Sequence, residues 1–330
     1  MKIAAKISPQ QILLLLILLI SVVGLISGCK NEPPKNDDAV LAQKNFEPRK
    51  PTDPPLNVLA TTGMIADAVR KVGGDSIKVN ALMGPGVDPH LYKPNSGDLT
   101  LLNNASIIFY NGLHLEGKMT DVLTKIGRNK PVVAVANGIP QAQYLSGDMA
   151  NSYDPHIWMD AQLWVGAVYE ISNQLQALDP INANFFRMNA TRYIDELNAL
   201  HRTIIEKMAQ IPADQRLLIT SHDAFKYFGR AYKIEVKGLQ GISTVAEFGL
   251  RDVSNMVQLI VQRNIKAIFV ETSVAQKPIE AVLAGCLKQN HKVVIGGTLF
   301  SDALGNANTP EGTYIGMMRF NATVIANALK

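Results

Sequence analysis

Cysteine is nearly absent from this chain of 330 residues, which contains only Cys29 and Cys286. The sequence has neither a Cys-x-x-Cys pair nor a His-Glu-x-x-His motif, so two familiar signatures of zinc sites are missing. Cys286 lies in the apolar pattern AVLAGCLK, which is typical of a small residue on a helix face, and we assign it no chemistry.

Charged residues are also few, at 18% of the chain, and the lysines and arginines form no run of five or six. The net charge of +4 is modest, so nothing indicates a nucleic-acid partner. Apolar residues make up 47% of the chain, which favours a folded body over a chain kept disordered by excess charge. A chain of this length can form two domains of ordinary size.

The N-terminal segment has the features of a bacterial export signal. Lys2 and Lys6 precede an uncharged run, Ile12 to Ile26, that is rich in leucine and isoleucine. This run is shorter than the about 20 apolar residues that span a bilayer, and the sequence ISGC that ends in Cys29 resembles a lipobox. The resemblance implies cleavage before Cys29 and lipidation of its sulfur; an uncleaved anchor helix is the alternative. A lipidated Cys29 could form no disulfide with Cys286.

The rest of the chain divides by composition and periodicity. A segment rich in proline and charge follows Cys29, and after it short β-branched runs alternate with longer amphipathic stretches, which predicts an α/β fold with parallel sheets flanked by helices. We therefore predict a signal peptide over 1–28, a disordered tether over 29–55, an N-terminal α/β lobe over 56–180, a bridging helix over 181–211 and a C-terminal α/β lobe over 212–330.

The bridging helix is predicted from a long stretch without proline or glycine, Asn182 to Gln210, in which apolar residues recur at helical spacing. Pro180 and Pro212 mark its ends. Its length exceeds what one lobe needs for a crossover, so we expect it to join the two lobes. A surface helix that belongs to one lobe is the alternative.

Four side chains are candidate metal ligands. His90 and His156 both lie in the sequence Asp-Pro-His, in which proline restricts the backbone before the imidazole. His222 and Asp302 follow predicted strands of the second half, and open α/β sheets hold ligands at the carboxyl ends of their strands. Three neutral imidazoles and one carboxylate would complete the coordination of a borderline divalent ion in a cleft between the lobes.

Other polar residues are weaker candidates. His114 follows a predicted strand and could be a neighbour of the site, whereas His201 and His291 are assigned to solvated or structural positions. Carboxylates that could orient the imidazoles, or equally be ordinary surface groups, are Asp160, Glu247 and Glu271.

Five segments in order resemble the metal-receptor family of solute-binding lipoproteins of zinc and manganese ABC importers: GVDPHLYKPNSGDL, DPHIWMD, TSHDAFKYF, GLQGISTVAE and LFSDALG. The resemblance covers residues 57 to 330. It implies two α/β lobes joined by one long rigid helix, with the metal held in the interlobe cleft by His90, His156, His222 and Asp302.

The resemblance also implies a function without catalysis. The chain would be anchored by lipid outside the cytoplasmic membrane, in the periplasm or at the cell surface, and would act as a monomer. It would deliver Zn²⁺ or Mn²⁺ to an ABC permease and its ATPase in the cytoplasmic membrane. Because imidazole must be neutral to bind metal, we expect affinity to fall below about pH 6.5.

The identity of the metal stays open at this point. Manganese-type members of the family often carry glutamate where this chain has His222, while the histidine-rich loop of many zinc receptors is missing here. Ligand chemistry slightly favours zinc, because manganese prefers more oxygen donors. The rival functions are a zinc-dependent hydrolase and a surface adhesin with a structural metal.

Overall fold

The computed structural model describes residues 46–245 and 248–330. The predicted export signal, Cys29, most of the predicted tether and Glu247 lie outside these residues. Among the helices that are described, none combines the length and the hydropathy needed to cross a membrane.

The first half of the chain contains a four-stranded parallel sheet. Its strands are β1 (Leu56–Ala60), β2 (Ile77–Ala81), β3 (Ile107–Tyr110) and β4 (Val132–Ala134), in the order β2-β1-β3-β4. The strands β3 and β4 are wholly buried and read as continuous apolar runs, as expected where helices cover both faces of a parallel sheet. The helices of this half are α1 (Gly63–Gly73), α2 (Ser96–Asn104), α3 (Thr120–Gly127) and α4 (Ala161–Leu178).

The second half contains two parallel strand pairs. The first pair is β5 (Leu217–His222) with β6 (Glu235–Gln240), and the second is β7 (Ala267–Glu271) with β8 (Val294–Leu299). A side-chain hydrogen bond joins the pairs, because the backbone N–H of His222 donates to the Glu271 carboxylate at 2.9 Å. The helices are α6 (Lys226–Tyr232), α7 (Leu250–Gln262), α8 (Lys277–Lys288) and α9 (Tyr314–Leu329). The α/β class with parallel strands is confirmed.

The predicted bridging helix is α5, Ala183–Met208, which is slightly shorter at each end than predicted. It contacts α1 and α4 of the first half as well as α6 and α9 of the second. At 1.5 Å per residue it is roughly 39 Å long, so it reaches both halves. The exact lobe boundaries, 56–180 and 212–330, stay a prediction.

The main apolar core is shared by the two halves. It contains Phe109 and Trp164 of the first half together with Phe228 and Tyr314 of the second, all buried. Smaller clusters lie within each half. Cys286 is buried in the cluster of the second half, which agrees with its assignment as a packing residue.

The structure describes the last residues of the predicted tether, 46–55, and Arg49 among them contacts the first half; the disordered tether over 29–55 stays a prediction. The backbone N–H of Arg49 donates to the Leu178 carbonyl at 2.7 Å, and its guanidinium contacts the Asp179 carboxylate at 3.3 Å. Asp179 is fully buried. A buried carboxylate needs a cationic or hydrogen-bonding partner, and Arg49 supplies it.

The second candidate ligand, His156, lies just before α4, and a close backbone contact fixes where this helix packs. Gly166 of α4 lies against Gly138, and a Cβ added to Gly166 would come within 2.8 Å of the Gly138 carbonyl oxygen. Only glycine permits this approach.

We expect Gly166→Ala to destabilise the protein, although alanine is the better helix former. The gain in helix propensity is about 1 kcal/mol, whereas forcing a methyl group into close packing costs about 1–3 kcal/mol. Urea unfolding of the metal-free protein measures the difference. Gly117→Ala is the control, because nothing lies within 4 Å of its added Cβ; equal stability of the two variants would contradict the prediction.

Candidate metal centre

The four predicted ligands come from four different segments. His90 lies in the loop after β2, and His156 precedes the short 3-10 turn Ile157–Met159 that leads into α4. His222 is the last residue of β5, and Asp302 follows β8. Each side chain therefore lies beyond or at the carboxyl end of a strand, or just before a helix, where the fold leaves room for a ligand.

The structure brings the four side chains together. Their potential ligand atoms lie within 4.8 Å of one another, and each residue is at most 3% exposed. The Nε2 atoms of His90 and His156 are 3.3 Å apart. The carboxylate oxygens of Asp302 lie 3.2 Å from His222 Nε2, 3.5 Å from His156 Nε2 and 4.0 Å from His90 Nε2.

These separations suit a single small cation. In a tetrahedral zinc site with bonds near 2.0 Å, neighbouring ligand atoms are separated by about 3.3 Å. Three of the four measured separations are close to that value, and the fourth is wider. His222 Nε2 and both oxygens of Asp302 are buried, and apart from the 3.2 Å contact that they make with each other, no described residue offers them a hydrogen bond of good geometry. Buried polar atoms without partners are costly, so their convergence on one point supports a metal site.

Both Asp-Pro-His sequences form the same local turn. In each, the aspartate Oδ1 accepts a hydrogen bond from the histidine backbone N–H, at 2.8 Å for Asp88 and His90 and at 2.9 Å for Asp154 and His156. Asparagine and aspartate commonly stabilise turns in this way. The aspartate and the proline therefore both restrain the backbone that carries the imidazole. The sequence indicated this restraint for the proline alone.

Carboxylates also contact two of the imidazole rings. Asp154 Oδ1 lies 2.7 Å from His156 Nδ1, and Glu271 Oε2 lies 2.5 Å from His222 Nδ1. In each case the contact leaves Nε2 directed toward the centre, as metal-binding histidines require. Glu271 was a predicted partner of this kind. Asp154 was missed, although its place in Asp-Pro-His was the available signal.

The remaining candidates lie elsewhere or outside the described residues. Asp160 caps α4, because its side chain accepts from the Gln162 backbone N–H at 2.9 Å, so of the two roles left open for it this contact favours an ordinary structural one. His114 is exposed in a turn and is not part of the cluster. The structure does not describe Glu247.

The pKa shifts of the side chains in the centre favour one protonated imidazole. Burial lowers the pKa of His90 to about 3, although Asp302 opposes this shift. Burial alone would lower the pKa of His222, but the carboxylates of Glu271 and Asp302 outweigh it and hold this pKa well above its ordinary value. Burial would raise the pKa of Asp302, but the imidazoles, His222 first, outweigh it and hold the pKa below its ordinary value. The metal-free centre therefore carries a proton on His222 beside an ionised Asp302.

Two buried hydrogen bonds hold the ligand-bearing segments of the two halves together. The indole N–H of Trp158 donates to the Ser301 carbonyl at 2.8 Å, and the Tyr314 hydroxyl donates to the Trp158 carbonyl at 2.7 Å. Trp158 and Ser301 are close in sequence to His156 and Asp302. Asn111 further supports the second turn by donating to the Pro155 carbonyl at 2.9 Å.

Comparison with known proteins shows the family of this chain. The family model described as ZnuA, zinc-uptake complex component A, periplasmic, matches residues 58–328. The chain is 49% identical over 281 residues to the manganese-binding lipoprotein MntA of Bacillus subtilis (strain 168), with 85% of this chain and 92% of MntA covered. It is 45% identical over 272 residues to the zinc-binding protein TroA of Treponema pallidum (strain Nichols), with 82% of this chain and 88% of TroA covered.

A solved structure, that of the periplasmic zinc-binding protein TroA from Treponema pallidum, has the same fold. It superposes with a TM-score of 0.81 at 44% sequence identity, covering 83% of this chain and 99% of TroA. Because the family model spans most of the chain and two relatives of high identity are covered over most of their length, this protein belongs to the ZnuA family of periplasmic zinc-uptake components.

Proposed function

We propose that this protein captures a divalent transition metal, zinc or manganese, outside the cytoplasmic membrane and delivers it to an ABC importer. The observation that carries the proposal is the convergence of His90, His156, His222 and Asp302 on one buried point. The names of the relatives support it, since one is a manganese-binding lipoprotein and another a zinc-binding protein.

In this proposal the cargo is held by four protein ligands and undergoes no reaction. The three imidazoles donate through Nε2, and Asp302 supplies the negative charge that stabilises the cation in a buried site. A catalytic zinc site keeps one coordination position open for water, whereas four protein ligands close the site. The ligand set thus supports capture over the rival hydrolase, and no comparison supports the adhesin alternative.

The proposal extends to the location and partners of the protein. Cleavage before Cys29 and its lipidation would tether a monomer to the outer side of the cytoplasmic membrane. The receiving partners would be an ABC permease and its ATPase. The lipoprotein name of MntA supports the anchor.

Loss of one ligand should abolish tight binding. We expect His222→Asn to weaken zinc binding by about a hundredfold or more, because it removes a donor that no neighbour replaces. Metal affinity is measured by competition with a chromogenic chelator on the full-length chain in detergent. His114→Asn is the matched control, since His114 is exposed and asparagine tolerates its positive φ of 63°. Equal affinities for the two variants would refute the ligand assignment.

Metal affinity should rise with pH across the neutral range. The raised pKa of His222 means that its imidazole is protonated in the metal-free protein at neutral pH, and the metal must displace that proton. His90, with its pKa lowered to about 3, is already neutral and does not compete. Affinity should therefore still rise with pH above about 6.5, where a free imidazole would already be neutral, by up to about tenfold per pH unit.

This proton is measurable directly. Calorimetric titration with zinc in buffers of different ionisation enthalpy should show release of about one proton per metal bound near pH 7. A pH-independent affinity with no proton release would show that His222 is neutral before the metal binds.

Replacing His222 with glutamate should shift the metal preference toward manganese, because it adds an oxygen donor. Glu271 lies 2.5 Å from the imidazole of His222, so a glutamate at this position would face like charge. The test is therefore His222→Glu combined with Glu271→Gln, with Glu271→Gln alone as the control. Mass spectrometry of the metal in protein from native cells should show a higher manganese-to-zinc ratio in the double variant; an unchanged ratio would mean that this ligand does not select the metal.

A further inference from the structure

The two Asp-Pro-His turns are alike in their backbone hydrogen bond but differ in what else the aspartate binds. Asp154 contacts the ring of its own histidine. Asp88 instead turns its second oxygen, Oδ2, to the other half of the molecule, where it accepts a hydrogen bond from the Thr244 hydroxyl at 2.6 Å. Thr244, which is not one of the four candidate ligands, thus holds the turn that carries His90.

Thr244 ends a short segment, residues 241–244, which we call the strap. The strap follows β6, whose last residue, Gln240, is the register partner of His222. The Gln240 side-chain amide donates to the Thr244 carbonyl at 2.8 Å, which shapes the strap. The strap therefore runs from the position beside His222 to the position beside His90.

A second contact attaches the strap to the first half. The backbone N–H of Ile242 donates to Asp148 Oδ2 at 2.6 Å, and a Cβ on Gly241 would lie within 2.6 Å of the same oxygen. Two aspartates of the first half, Asp88 and Asp148, therefore bind a segment of the second half. The strap connects the halves across the side of the site where His90 and His222 lie.

The strap lies where it can open without unfolding the core. Thr244 is partly exposed, and the next residue, Val245, is 53% exposed. The metal ligands are buried, so metal exchange requires segments around them to move apart. Breaking the contact between Thr244 and Asp88 would release the turn that carries His90 and leave the other three ligands in place.

We propose that Thr244 is a positioning residue that controls how long the bound metal stays, by clamping the Asp88 carboxylate and through it the His90 turn. The inference rests on the proposed function, because it concerns release of the captured metal. The clamp acts on dissociation, since the hydrogen bond between Thr244 and Asp88 must break before the His90 turn can move away from the metal. A partner that displaces the strap would release the metal without contacting any ligand.

The test compares Thr244→Val, which keeps the shape of the side chain and loses the hydroxyl, with Thr244→Ser, which keeps the hydroxyl. Zn²⁺-loaded full-length chain in detergent is mixed with excess chromogenic chelator, and the dissociation rate is read by stopped flow. A hydrogen bond to a carboxylate supports an expected increase of about tenfold for Thr244→Val. We expect Thr244→Ser to dissociate within about twofold of the unchanged chain.

Three measurements separate this role from a general loss of structure. The association rate, the stoichiometry and the absorption spectrum of the Co²⁺-loaded protein should be unchanged in Thr244→Val. Thr203→Val is the control, because the hydrogen bond that the structure describes for the Thr203 hydroxyl lies within α5, to the Ala199 carbonyl at 3.0 Å. If Thr244→Val folds poorly, Thr244→Ala takes its place in the same comparison.

The outcomes are distinct. If the unchanged chain binds neither Zn²⁺ nor Mn²⁺, the proposed function fails. If it binds Zn²⁺ and Thr244→Val releases the metal at the unchanged rate, the clamp is wrong while the function stands. Faster release by the Thr203→Val control to the same extent would also overturn the clamp, because the effect would then not depend on the strap.

Discussion

Three imidazoles and one carboxylate face one buried point, and this arrangement constrains much of the surrounding structure. Nitrogen lone pairs and an anionic oxygen that converge at a buried point repel one another unless a cation lies between them. In the metal-free centre the proton on His222 supplies that charge, next to Asp302 and Glu271. The proton and the metal therefore compete for His222. The carboxylates that hold the proton on this imidazole also lower the net affinity for metal, because the metal must displace the proton.

Such a site needs a rigid frame, because ligand atoms that move apart lose the ion. The frame is the continuous apolar core between the halves, crossed by the buried hydrogen bonds of Trp158 with Ser301 and of Tyr314 with Trp158. The helix α5 contacts both halves along its length. A shared core limits the halves to small displacements, so opening of the site falls to segments at its edge.

The sequence predicted the four side chains that the structure brings together, because chemistry and topology agree at these positions. Strand ends predicted where His222 and Asp302 would lie, and the repeated Asp-Pro-His predicted two restrained imidazoles. Supporting contacts were harder to predict, because they depend on tertiary geometry: the aspartate of the second turn reaches its own imidazole ring, whereas Asp88 of the first turn does not. Likewise Arg49 looked like part of a free tether, since its partner Asp179 is distant in sequence.

The difference between the two turns suggests how one site can be both tight and reversible. Asp154 is fully buried and directs its charge to the ring of His156, which makes that ligand part of the rigid frame. Asp88 is partly exposed, and one of its oxygens accepts a hydrogen bond from Thr244 of the opposite half. A ligand held through a partly exposed hydrogen bond is released at lower cost than one held in the core. The contact between the metal and His90 should therefore break first. His156, His222 and Asp302 would stay in place to receive the next ion.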